Sequence, residues 1–325
     1  MIDIPTIFIL GAGASKPYGY PVGTELRAEI IRDFSRLFEY ILGNSSSMQP
    51  SEKERHLRQA NYFVEKFAAS PIDSIDRYLS INPDFEYYGK IAITICILMR
   101  EKNYNFRDQM IQPYYNEDWF RLLFNRMVTT FKGPQDYEKF RDNKIAFITF
   151  NYDRSLEYFL YNGFYNSFYQ NRNNFEHTMD EFIPFPIVHI YGQVNKLSPI
   201  EWSQSNDYGQ DFLSYKMIED FSKGITVVGE RTKEDLKETL SKLIADFKRI
   251  FFLGFSYAEE NMEGIGLIDM FDKTHRIYGS AIEMTDTEIA YVMSRLSGKS
   301  KDGKSIKTRT SVLNKNSYNL LREYL

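Results

Sequence analysis

Two runs of strand character, TIFIL at Thr6–Leu10 and IAFIT at Ile145–Thr149, stand far apart, and most of the stretch between them has helical periodicity. That gap constrains the fold more than any other feature of the chain. A crossover between parallel strands needs only about a dozen residues or somewhat more. The intervening segment is therefore an insertion with helices of its own, expected over 24–42, 51–68, 72–79, 85–101, 117–131 and 135–141. GKIAITICILMRE, 89–101, is apolar nearly all round, so it is placed in the middle of that helical bundle.

Further strand-like runs fall at 187–191, 225–228, 250–253 and 276–282. All are apolar on both faces, as strands of a helix-covered parallel sheet should be. The expected fold is α/β: a Rossmann-like parallel sheet of about six strands with a large inserted helical domain. The sheet domain takes 1–23 and 143–296, the helical domain takes 24–142, and 297–325 is a C-terminal loop and tail. The lysine-rich SGKSKDGKSIKTR, 297–309, reads as a solvated loop, with partner docking as the alternative.

With 325 residues and 43% hydrophobic side chains, the chain can bury one large core or two smaller ones. A net charge of −4 argues against a broad basic face for nucleic acid. One cysteine, Cys96, excludes an intrachain disulfide and a cysteine-rich zinc cluster, and fits a reducing compartment. The amino-terminal MIDIPTIFIL has no basic leader region, and no uncharged apolar run reaches the roughly 18 residues of a membrane helix. A cytoplasmic protein with no metal and no membrane partner is expected.

The first strand runs into Gly11-Ala12-Gly13-Ala14-Ser15. Two glycines one residue apart let backbone approach a ligand, and a helix starting there would aim N–H groups at a phosphate. That is a dinucleotide-type site, although Lys16 replaces the third glycine of G-x-G-x-x-G, and a structural tight turn is the alternative. The second strand leads to Asn151 and Asp153, at the sheet edge where open α/β folds bind ligands; an Asx turn is the plainer reading of Asn151. In IVHIYGQV, 187–194, His189 and Tyr191 share one face by the two-residue strand period, and Gly192 opens the edge; a core histidine is the alternative. Gly254 and Ser256 stand at a further strand-to-helix turn.

These blocks, in this order, resemble the sirtuin-like superfamily, in its divergent bacterial branch found in antiphage defence. G-A-G-A-S at 11–15 is similar to the phosphate loop, T-F-N-Y-D at 149–153 to T-Q-N-x-D, H-I-Y-G at 189–192 to the H-G block, and G-F-S at 254–256 to the later G-T-S turn. SIDRYL, 74–79, and GKIAI, 89–93, resemble the same branch. The resemblance implies NAD+ as substrate, with Gly11, Ala12, Gly13 and Ser15 on the diphosphate, Asn151 and Asp153 by the nicotinamide ribose, and Ser256 near the adenosine. The family's catalytic histidine precedes the glycine; here Tyr191 holds that position and His189 lies two residues earlier.

Deacylases of the family this chain resembles carry a four-cysteine zinc module between the H-G and G-T-S blocks, and residues 193–253 contain no cysteine, so the resemblance does not imply a zinc-supported deacylase. NAD+ hydrolysis needs an enclosed pocket for an oxocarbenium-like ribose and a group to position water. Asn151 offers a donor and an acceptor, and His189, with Tyr191 beside it, offers proton transfer. An NAD+-depleting effector is the expectation, acting as a homo-oligomer and with a ring-forming ATPase or other defence subunit as possible partner. A non-catalytic NAD+ or ADP-ribose sensor is the alternative.

Overall fold

Five-residue runs with every position buried belong inside a sheet covered on both faces, and that is where TIFIL and IAFIT lie. The computed structural model of the chain describes residues 1–103, 117–168, 183–197, 208–209, 214–226, 233–297 and 308–325. Six strands, β1 (Thr6–Leu10), β2 (Ile145–Thr149), β3 (Ile187–His189), β4 (Arg249–Leu253), β5 (Arg276–Ser280) and β6 (Arg309–Leu313), form one sheet in the order β3-β2-β1-β4-β5-β6. Every pairing is parallel, with Thr6 opposite both Ile145 and Arg249. The fold is a Rossmann-like α/β fold. Strand order reverses between β1 and β4, which opens a crevice at the carboxyl edge of the sheet.

The insertion after β1 is helical in all its described elements: α1 (Ala12–Ser15), α2 (Gly23–Gly43), α3 (Pro50–Ala69), α4 (Ile75–Ile81), α5 (Glu86–Asn103) and α6 (Trp119–Met127), with short 3₁₀ segments between. In α2, Leu26, Ile30, Phe34, Phe38 and Ile41 recur every three or four residues and are buried, which fixes the face it presents to the core. Phe34 packs on Phe63 of α3, and Phe67 of α3 on Tyr78 of α4. Ile91 through Leu98 of α5 are buried without a break. Thr94 is tolerated there because its hydroxyl donates to the Lys90 carbonyl at 2.8 Å. Burial likewise pushes the Cys96 thiol up to about 12, so it is an inert core residue.

Arg27 of α2 donates to the carbonyls of Ser70 (2.7 Å) and Ile72 (3.2 Å), pinning the segment that leads into α4. After β2 come α7 (Ser155–Phe168), α8 (Tyr215–Ser222), α9 (Lys233–Ala245), α10 (Glu259–Glu263), α11 (Asp286–Leu296) and α12 (Ser317–Tyr324). The buried apolar side chains of insertion and sheet, Phe34, Ile93, Phe147 and Phe251 among them, form one cluster. Among the described residues no helix is long and apolar enough to cross a membrane.

Three expectations are corrected. Residues 225–228 form no described strand: Ile225 makes one antiparallel bridge with Gly192, and 227–228 lie outside the described residues. The third strand stops at His189 and does not include Tyr191. The 297–325 segment is no mere tail, because it supplies edge strand β6 and α12, whose Leu320 and Leu321 are fully buried. Most of the lysine-rich 297–309 stretch lies outside the described residues.

Candidate functional site

A cavity of about 540 Å³ lies across the β1/β4 crevice, within the usual size of a small-molecule site. Its floor is the crests that follow β1, β2, β4 and β5, with Gly11, Asn151, Gly254 and Ser280 among its residues. The insertion supplies the facing wall, from Val22–Thr24 at the start of α2 and from Asp73–Asp76 at the start of α4. Among the described lining residues there is no lysine or arginine, whereas Asp73, Asp76, Asp153 and Glu260 all contribute. Neutral donors, backbone N–H groups and the hydroxyls and amides of the lining, are what the described wall offers an anionic part of a ligand, and the carboxyl groups suit hydroxyls or a developing positive charge.

Gly11, Ala12 and Gly13 line the cavity, while Ala14 and Ser15 do not. The reason for the glycines differs from the expected one. A Cβ on Gly11 or Gly13 would lie 2.6 or 2.8 Å from the Gly254 carbonyl oxygen, so the space they clear is filled by the crest after β4. Gly11 N–H donates to the Leu253 carbonyl (3.0 Å) and Gly13 N–H to that of Gly254 (2.9 Å). Those two donors are spent, and α1 is only four residues long. The long helix, α2, begins further on, and its first residues face the cavity.

Asn151 is buried on the cavity wall. Its Nδ2 donates to Ser15 Oγ at 2.9 Å, and its Oδ1 has no hydrogen-bond donor among the described residues. The carboxamide is not used in an Asx turn. A buried acceptor left unpaired costs about 1–3 kcal/mol, and here it belongs to a residue of the cavity wall. Asp153 also lines the cavity, but its Oδ1 accepts from the Ser155 N–H (3.1 Å) and hydroxyl at the start of α7. Burial raises its carboxyl above the ordinary range, and the hydrogen bonds from Ser155 and Ser15 oppose that rise. Next to it, the fully buried Arg154 grips Glu101 of α5 at 2.9 and 3.0 Å, which ties the insertion to the β2 crest.

His189 is not brought to the cavity. Its Nε2 meets Glu157 Oε1 at 2.7 Å and its Nδ1 meets the Asn151 carbonyl at 3.0 Å, so both ring nitrogens are engaged behind the site. Burial works against its charged form, but the Glu157 carboxylate prevails and raises the imidazole above its ordinary value; Glu157 is lowered, its burial outweighed by His189. His189 and Tyr191 do not share a face, because the strand period ends before Tyr191. Tyr191 turns into the cavity and its hydroxyl donates to Asn261 Oδ1 at 2.6 Å; burial raises it above the ordinary phenol value, with Asp76 and Glu260 adding to the rise. Gly192, at φ +67°, packs against Gly224 rather than lining the cavity. Gly254 and the exposed Ser256 line it.

Glu157→Leu, which removes the carboxylate facing the His189 Nε2, is expected to cost roughly 3–5 kcal/mol. The gap in melting temperature between parent and variant should be widest between the ordinary values of 4.5 for the carboxylate and 6.5 for the imidazole. It should shrink as pH rises through the raised value of His189 and as pH falls through the lowered value of Glu157. A gap independent of pH would mean that the pair is not ionised.

Asp76 is the residue the sequence reading passed over. It stands in the first turn of α4, where Ser74 caps the helix by accepting from the Arg77 N–H at 3.3 Å. The Tyr152 hydroxyl donates to Asp76 Oδ1 across the cavity wall. Burial raises the carboxyl to about 7, with the nearby Glu260 charge adding to it, against hydrogen bonds from Ser74 and its own backbone. The signal was present in SIDRYL, but an acid after a serine cap is an ordinary helix start. No protein-family model and no curated protein matches the chain.

Proposed function

We propose that the cavity binds NAD+ and hydrolyses its nicotinamide–ribose bond, releasing nicotinamide and ADP-ribose. The observation that carries this reading is the buried Asn151 Oδ1, unpaired among the described residues, at the strand-order reversal where an open α/β sheet holds its ligands. A ribose hydroxyl or a water would complete it. The acidic wall suits the chemistry, since an oxocarbenium-like ribose gains positive charge as neutral nicotinamide leaves. The four sequence blocks that resemble the defence branch of the sirtuin-like superfamily support the same reaction and the role of an NAD+-depleting effector in antiphage defence.

A second reading, a non-catalytic NAD+ or ADP-ribose sensor, is favoured by one specific observation: Tyr191 occupies the position of the family histidine, and His189 is turned away to Glu157. One experiment separates the two. Purified protein incubated with NAD+ is expected to release nicotinamide, followed by chromatography, with ADP-ribose as co-product. Binding of ADP-ribose by calorimetry without nicotinamide release would establish the sensor, and absence of both would remove the dinucleotide reading.

A further inference from the structure

We infer that Asp76, carried into the cavity by the inserted helix α4, is the general base that takes the proton of the attacking water. This rests on the hydrolase reading. In the step, the bond from the anomeric carbon to the pyridinium nitrogen breaks and its electron pair leaves with neutral nicotinamide. A water oxygen then bonds to the anomeric carbon, and the water's proton passes to the Asp76 carboxylate, which later returns it to solvent. NAD+ and water thus give nicotinamide, ADP-ribose and one proton.

The three candidates offered by the strand ends are committed elsewhere. His189 is held by Glu157 and the Asn151 carbonyl, Asp153 by Ser155 and Ser15, and the Tyr191 hydroxyl by Asn261. Asp76 lines the cavity, and bonds from the Tyr152 hydroxyl, from Ser74 and from its own backbone fix the orientation of its carboxyl. The groups facing it are Tyr152 from the β2 crest, Tyr191 from the β3 crest, Glu260 from α10, and Ser74 on its own element. None is cationic. A carboxyl poised near 7 changes protonation where a general base works best.

The test is the pH profile of nicotinamide release by the full chain and by Asp76→Asn and Asp76→Glu. The parent rate should rise with pH through an inflection near 7. Asp76→Asn should lower kcat by about 10²–10⁴-fold and abolish that limb, with ADP-ribose affinity little changed, and Asp76→Glu should restore part of it. Folding gives a separate check. A carboxyl raised in the folded state costs stability as pH rises above its ordinary 3.8, so Asp76→Asn should melt higher than the parent at alkaline pH and lose that advantage in acid. If the parent cleaves NAD+ and Asp76→Asn does so at the parental rate, or if the parent profile is flat through neutrality, Asp76 is not the base and the hydrolase reading stands without it. If the parent releases no nicotinamide from about pH 5 to about 9, both are overturned.

Discussion

Gly254→Ala is expected to prevent the chain from folding. Gly254 has φ +54°, a conformation that side chains other than glycine rarely adopt, and a Cβ there would overlap the backbone nitrogen of Ala14 and the carbonyl carbon of Gly13. Neither neighbour can withdraw. Gly13 N–H is bonded to the Gly254 carbonyl, the Ala14 carbonyl accepts from Trp119 Nε1 at 2.8 Å, and Gly254 N–H donates to Ser280 Oγ at 2.8 Å. Overlap of backbone with backbone, added to the unfavourable φ, is set against a total stability of roughly 5–15 kcal/mol for an ordinary domain. Gly23→Ala is the matched control: a Cβ there meets nothing within 4 Å, so its melting curve should follow the parent. Soluble expression, circular dichroism and thermal melting of the two variants make the comparison. A Gly254→Ala protein that melts like the parent would show that the two crests do not pack as described.

Asn151→Ala should lose hydrolysis by on the order of a hundredfold or more, the usual consequence of removing one preorganised group from a transition state. Folding should survive. The substitution breaks the Nδ2 bond to Ser15 Oγ but also removes a buried oxygen without a partner among the described residues, and these two changes in stability oppose each other. Melting temperature, calorimetric binding of ADP-ribose and nicotinamide release are measured on one preparation. An Asn151→Ala protein that binds and hydrolyses at the parental rate would leave the sensor as the better reading.

The parallel sheet was legible because its central strands are apolar on both faces, and the insertion was legible because α2 and α5 carry long helical patterns. β6 was missed because RTSVL is an edge strand, with Val312 its one fully enclosed position and Arg309 exposed. Strand propensity alone suggested 225–228, where Ile225 makes a single bridge. At the site, Asn151, Asp153, Gly11 and Gly13 were found from their places at strand ends. What those residues touch was not legible. Glycine spacing does not say whether the cleared space holds a ligand or the Gly254 crest, and a two-residue period carries no mark of where β3 ends. Asp76 enters the cavity only through packing of the insertion on the sheet, a relation between segments distant in sequence.

The contact between the β1 and β4 crests also sets an order of events during synthesis. Gly11 and Gly13 are synthesised long before Leu253 and Gly254, whose carbonyls receive their N–H groups. The β1 turn cannot close until those residues have been added, and the Ser280 hydroxyl that holds Gly254 follows later still. A nascent chain therefore carries the glycine-rich segment through the synthesis of everything from α2 to β4 without a cavity around it. The cavity is thus withheld from unfinished chains by the connectivity of the sheet itself.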